Sequence, residues 1–281
     1  KGRVPAAQLS TIEAGGNIID FAFNPFDEDM VVTGTDNALI KGWKIPEEGL
    51  VKAKSNLTDA AFVLKGHQNK ITSVDFHPLA SNLLLSTSGD LTAKVWDITQ
   101  NEAALTLKGL GDLVLSTTWN HTANVLGTSC KDRIVRLFDV RQNQVTLECP
   151  DVGGAQGSKI DWMGKEEKLV CVGFNKSSER FINLIDLRKA DTPYASVRID
   201  HGSSVLTPVY DAATGVLLLS GKGDSSIKFY ELNEEAPHIH PLVDFTTTVP
   251  QIGVYLHHKT DLDVKEVEIF RAFKLSQNCV E

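Results

Sequence analysis

Short apolar segments that end in small or polar residues recur along the chain, separated by polar turns, and no long stretch keeps helical periodicity. Between Leu64 and Ile98 the pattern is clearest. Gly66-His67 leads into an alternating run, Ile71–Phe76. The pair His77-Pro78 interrupts it, and a second run, Leu83–Ser88, follows. Gly89-Asp90 breaks that run before a third, Thr92–Asp97, which contains Trp96-Asp97. Alternation with Gly, Pro and Asp at the breaks predicts antiparallel strands joined by tight turns.

The same unit repeats. Its last strand carries a large apolar anchor at Trp43, Trp96, Phe138, Ile185, Tyr230 and Phe273, recurring roughly every 40–50 residues. A polar turn residue stands six positions before the anchor in four units: Asn37, Asp90, Asp132 and Asp224. Glu179 and Val267 occupy that place in the fourth and sixth. The preceding strands, Met30–Thr35, Leu83–Ser88, Val125–Ser129, Leu169–Gly173 and Val216–Gly221, are β-prone and end in small residues. Their weak alternation predicts sheets covered on both faces. Gly-His, strand, Pro turn, strand, Asp turn, strand, Trp-Asp is the signature of the WD40 repeat, and each repeat builds a four-stranded blade of a β-propeller. The expected fold is therefore an all-β WD40 propeller, residues 1–281 forming a single domain with six repeats evident. Val264–Leu275 has some helical character, but the unit spacing favours a strand at its end. Pro46–Asp59, Arg141–Gly157 and Asn233–Pro250 read as long connecting loops.

Buried polar residues need partners, and the repeat supplies them. His67, Asp90, Trp96 and a hydroxyl, Ser86 or Ser88, are expected to form one hydrogen-bonded set inside the blade. Trp43, Asp132, Phe138, Asp224 and Tyr230 are the corresponding structural residues of other units. A catalytic reading of the His, Asp and Ser would require an exposed nucleophile, which a buried set does not offer.

Composition narrows the function. Hydrophobic residues make up 42% and charged residues 23% of the 281 positions, an ordinary globular balance. No run approaches the ~20 apolar residues that span a bilayer, so no membrane span is expected. The net charge of −8 argues against nucleic acid, which demands a basic face. Cys130, Cys149, Cys171 and Cys279 are far apart in sequence and read as free thiols of a reducing, cytoplasmic compartment. The Asn-x-Ser/Thr matches at Asn56, Asn120 and Asn175 read as chance. Gly221-Lys-Gly-Asp lacks the spacing of a phosphate-binding loop. His238-Ile-His240 and His257-His258 lack a third ligand at metal-site spacing. No catalytic residue, cofactor or metal is expected, and the protein reads as no enzyme.

Further motifs resemble one family. Trp43-Lys-Ile-Pro-Glu-Glu-Gly-Leu50 is similar to the stretch after the first recognisable repeat of the coronins. Thr128-Ser-Cys-Lys-Asp-Arg133 with Arg136-Leu-Phe-Asp-Val-Arg141 resembles their third unit. Val172-Gly-Phe-Asn-Lys-Ser-Ser-Glu-Arg180 resembles the fourth and Gly221-Lys-Gly-Asp-Ser-Ser-Ile227 the fifth. Asp261–Leu275 is similar to the closing segment. Gly111-Asp-Leu-Val114 and Trp162-Met-Gly164 look like the long, tandem-propeller type (POD type). The resemblance implies a seven-bladed ring, with six blades or an incomplete ring as the alternative, and N-terminal strands of the last blade supplied from before Lys1. It also implies a non-enzymatic scaffold that binds actin filaments and other cytoskeletal or trafficking proteins. Its implied location is the cytoplasm and cytoskeleton, with a Golgi or vesicle association. A WD40 adaptor serving a ubiquitin ligase or a vesicle coat remains the alternative.

Acidic filament surfaces call for cations on a partner. The densest basic sets are Lys131, Arg133, Arg136 and Arg141 in the third unit and Lys176, Arg180, Arg188 and Lys189 in the fourth, with Lys222 and Lys228 as lesser candidates. Asp132, Asp139 and Glu179 offset them, so an ordinary solvated face is the competing reading.

Overall fold

The computed structural model describes residues 2–3, 11–47, 49, 56–151, 157–175, 177–256, 262–266, 268–277 and 279–280. Among these residues strands dominate, in six antiparallel sheets. The first sheet joins β2 (Ile18–Asn24), β3 (Asp27–Thr35), β4 (Leu39–Lys44) and β5 (Phe62–Lys65) in chain order. The second joins β6 (Ile71–Phe76), β7 (Leu83–Ser88), β8 (Ala93–Asp97) and β9 (Glu102–Leu107). The third joins β10 (Val114–Trp119), β11 (Val125–Cys130), β12 (Ile134–Asp139) and β13 (Gln144–Pro150). The fourth is β14 (Ser158–Trp162), β15 (Lys168–Phe174), β16 (Arg180–Asp186) and β17 (Ala195–Asp200). The fifth is β18 (Leu206–Asp211), β19 (Val216–Gly221), β20 (Ser226–Leu232) and β21 (Ile239–Pro241), with β22 (Phe245–Thr246) also on β20. The chain falls into two compact units, one built from the first three sheets and the other from the last three.

The anchors explain the register. Trp43 lies opposite Val31, Trp96 opposite Leu84, Phe138 opposite Leu126, Ile185 opposite Leu169 and Tyr230 opposite Leu217. All five anchors are buried. Each therefore sits at the same place on the third strand of its sheet, and burying such a side chain contributes roughly 1.5–3 kcal/mol. Neighbouring sheets stack through these positions. Leu85, Val95 and Leu107 of the second sheet share a core with Val114, Leu126 and Phe138 of the third. In the other unit Val170, Ile182 and Leu184 pack with Leu217, Leu219 and Tyr230.

The sixth sheet departs from expectation. Its order is β1 (Gly2–Arg3), β25 (Cys279–Val280), β24 (Ala272–Leu275), β23 (Gly253–Leu256). A strand from the start of the chain thus completes the last sheet. Counted from β23, the strand carrying Phe273 is second, not third, so Phe273 is not at an anchor position. It is 39% exposed, and the neighbouring Lys274 is buried instead. Val264–Glu266 is a single 3-10 turn, and Val267 lies outside the described residues. The segments Arg141–Gly157 and Asn233–Pro250 are not simply loops, because each holds its sheet's outer strand: β13 in the former, β21 and β22 in the latter. Pro78 stands in a turn, as does Pro25 between β2 and β3.

Candidate functional site

The second sheet carries the complete polar set. The Trp96 indole N–H donates to Ser86 Oγ at 2.7 Å, and Ser86 Oγ lies 2.8 Å from His67 Nε2. His67 Nδ1 lies 2.9 Å from Asp90 Oδ2. Proton inventory fixes the roles. Indole is only a donor, so Ser86 accepts from it and gives its own hydroxyl proton to Nε2. His67 then carries its proton on Nδ1 and donates it to the Asp90 carboxylate. Burial lowers the His67 pKa, against the hydrogen bond and charge of Asp90, which fits the neutral ring this chain of bonds requires. Burial pushes Asp90 upward, but hydrogen bonds from the Thr92 hydroxyl, the Gln68 N–H and His67 prevail and hold it at about 2. Ser88 is not the partner of His67. Its hydroxyl donates to Asn69 O and accepts from the Asp90 N–H.

Other units solve the same problem with different residues. In the first sheet Trp43 Nε1 donates to Thr33 Oγ1 at 2.9 Å; Thr33, two residues after Val31 as Ser86 is after Leu84, takes the place of Ser86. The third sheet has Phe138, which needs no acceptor. There Arg136 Nε donates to Glu148 Oε1 at 2.8 Å, and its guanidinium stands 2.7 Å from Asp132 Oδ2. Between the fourth and fifth sheets Arg180 grips Asp200 through Nε and Nη2, the latter at 2.8 Å, and reaches across to Asp224 through Nη1. Ser204 Oγ donates to Asp224 at 3.0 Å. Burial alone would lower both arginine pKa values, but the facing carboxylates raise them. Glycines make room: a Cβ on Gly111 would fall 2.1 Å from Asp132 Oδ2, and one on Gly202 would fall 2.1 Å from Arg180 Cζ.

This geometry corrects part of the basic-patch expectation. Arg136 and Arg180 are each 5% exposed and are engaged internally, so neither is open to a partner. Each lies on the third strand of its sheet and is closed over by carboxylates from elsewhere: Asp132 and Glu148 for Arg136, and Asp200 and Asp224 for Arg180. Lys131 and Arg133 are exposed, as alternation at the hairpin tip predicted. Arg141 is exposed too, but it follows the far end of β12, so the third-unit set is divided between opposite ends of one strand. Lys176 lies outside the described residues. Arg188 pairs with Asp186 at the far end of β16, and Lys228 pairs with Asp200 and Asp244. The acidic partners Glu148 and Asp200 went unread because they lie on outer strands, twelve and twenty residues from their arginines.

Chemically the polar sets are closed. His67, Ser86 and Asp90 have the spacing of a hydrolytic triad, yet Ser86 is 0% exposed and its oxygen is capped by Trp96. Substrate cannot reach it. Among the described residues no cluster of three His, Cys, Asp or Glu side chains is placed to hold a metal, and His257 and His258 lie outside them. No helix among them is long and apolar enough to cross a membrane. Cys130, Cys149 and Cys171 are buried, and burial pushes the Cys130 thiol up to about 11. One carboxyl is poised near neutrality. Asp75 is exposed to solvent, yet protein packed around its carboxyl, with the charge of Asp20 beside it, raises it to about 7.

Comparison with known proteins agrees with this architecture. The family model described as "WD domain, G-beta repeat" matches residues 59–97, the repeat that holds the complete set. Human Coronin-7 is 38% identical over all of this chain and 30% of its own length. Bovine Coronin-2A is 35% identical over 92% of this chain and 50% of its own length. A coronin-like protein of Saccharomyces cerevisiae is 32% identical over 92% of this chain and 40% of its own length. The chain thus spans half or less of these relatives. The crystal structure of the WD40 domain from Toxoplasma gondii coronin superposes with a TM-score of 0.86 at 28% identity, covering 94% of this chain and 68% of that one.

Proposed function

The chain belongs to the coronin family, and on that premise we propose that it is a non-enzymatic platform that binds actin filaments and organises partners in the cytoskeleton and in membrane traffic. The observation that carries the reading is the division of polar residues. Those with catalytic character, His67, Ser86 and Asp90, are sealed inside a blade, whereas cations such as Lys131 and Arg133 stand exposed on a rigid hairpin. Loops held on a stiff scaffold suit recognition. A cytoplasmic, cytoskeleton-associated location with a vesicle or Golgi pool follows from the same reading.

Co-sedimentation with actin filaments across a salt series tests it. Binding that weakens as salt rises is expected, because exposed charges are screened over ~8–10 Å near physiological ionic strength. Absence of pelleting at low salt refutes the filament reading.

A further inference from the structure

The cations that matter are not those that cluster in sequence. Lys65 ends β5 opposite Leu39, the first residue of β4. Lys70 precedes β6, and its carbonyl accepts the Gly89 N–H at 2.9 Å. Lys108 follows Leu107, which lies opposite Ala93 at the start of β8. Lys131 donates its N–H to Leu113 O at 2.8 Å, and Arg133 immediately precedes β12. All five therefore stand at one end of the first three sheets, where the third strands begin. All five are exposed. Among the described residues none of them takes part in an ion pair.

Two of the carboxylates at this end are turned inward. Asp90, with a side chain 12% exposed, is held by His67, Thr92 and Gln68. Asp132, with a side chain 18% exposed, faces Arg136 and the Ile134 N–H. Asp36 and Glu148 are exposed there, but Asp36 is held by Asn17 and Glu148 by Arg136, so these acids are engaged within the chain while the five cations face solvent, on a chain whose net charge is −8. The tips are also held alike. Ala38, Leu91 and Arg133, each five residues before its anchor, have φ of 64°, 62° and 64°, so the three turns share one backbone course.

We propose that Lys65, Lys70, Lys108, Lys131 and Arg133 form a docking rim for a folded protein surface that presents carboxylates. A fixed array of cations on rigid turns matches a fixed array of anions, whereas a fluid bilayer has no need of one. The proposal rests on the filament reading only for the identity of that partner.

The experiment compares Lys108→Glu/Lys131→Glu/Arg133→Glu with a control at the opposite strand ends, Arg141→Glu/Lys189→Glu, after circular dichroism and melting confirm that both fold. A milder Lys108→Gln/Lys131→Gln variant guards against misfolding of the first. Filament co-sedimentation and titration with fluorescent polyglutamate are the two readouts. At least tenfold weaker binding of the rim variants in both, with the control unchanged, supports the rim. Equal binding of rim variants and control overturns it while leaving filament binding intact. If the unaltered chain fails to pellet, the filament reading falls, and the rim is then decided by polyglutamate alone: selective loss in the rim variants supports it, and no binding or no selectivity refutes it. Capture only by phosphatidylserine vesicles refutes it in favour of a membrane.

Discussion

Ser86→Ala removes one atom that serves two buried partners. Trp96 Nε1, 2.7 Å away, loses its acceptor, and His67 Nε2, 2.8 Å away, loses its donor. Ser86 is 0% exposed and Trp96 is 1% exposed, so water cannot readily replace the hydroxyl. Leaving a buried polar group unsatisfied costs about 1–3 kcal/mol. Two such groups, reduced by local relaxation, give an expected loss of about 2–4 kcal/mol. Ser88→Ala is the internal comparison. Its hydroxyl bonds only Asn69 O and the Asp90 N–H in the neighbouring turn, and a loss of about 1 kcal/mol is expected. Equilibrium urea unfolding, followed by tryptophan fluorescence and far-ultraviolet circular dichroism, measures both. The double variant with Trp96→Phe should recover part of the Ser86→Ala loss, since it removes the orphaned indole donor. If Ser86→Ala costs no more than Ser88→Ala, or if the double variant is strictly additive, the relay through Ser86 is not what ties this blade together.

Three further outcomes follow from the same geometry. Arg180→Met removes the guanidinium that joins Asp200 to Asp224, leaving Asp224 without its cation and Asp200 with Lys228 alone, and should destabilise by about 3 kcal/mol, with Asp224→Asn/Arg180→Met less affected than Arg180→Met alone in the same unfolding assay. Gly111→Ala places a methyl 2.1 Å from Asp132 Oδ2 and should cost about 1–3 kcal/mol by overpacking, an effect that Gly111→Ala/Asp132→Ala would lessen. Stability should respond to pH from both sides. Asp90, at about 2 against an ordinary 3.8, contributes stability that is complete above pH 3.8 and lost as pH falls through 2. Asp75, raised from 3.8 to about 7, acts oppositely: the fold disfavours its charge, so stability declines as pH rises from 3.8 and the loss is complete above 7. Asp75→Asn should therefore raise the melting temperature at pH 8 and leave it unchanged at pH 3, as differential scanning fluorimetry would record.

The repeat itself was legible in the chain. Strand alternation, Pro and Asp turns and an aromatic or aliphatic anchor are local features, and each blade is built from neighbours in sequence, so Trp43, Trp96, Phe138, Ile185 and Tyr230 were found at equivalent places. The choice of Ser86 over Ser88 was not legible, because both are buried hydroxyls on β7 and only the register toward Trp96 separates them. Nor was the fate of Arg136 and Arg180. Composition counts them as surface charge, and only the folded chain brings Glu148, Asp200 and Asp224 to them. Phe273 failed as an anchor because strand rank within a sheet depends on which strands complete it, and β1 comes from the other end of the chain. What the amino-acid order determined was the periodic, short-range pairing that makes a blade. What tertiary structure decided was which charges are neutralised by distant partners and which are left facing water, since that depends on contacts between residues the sequence keeps apart.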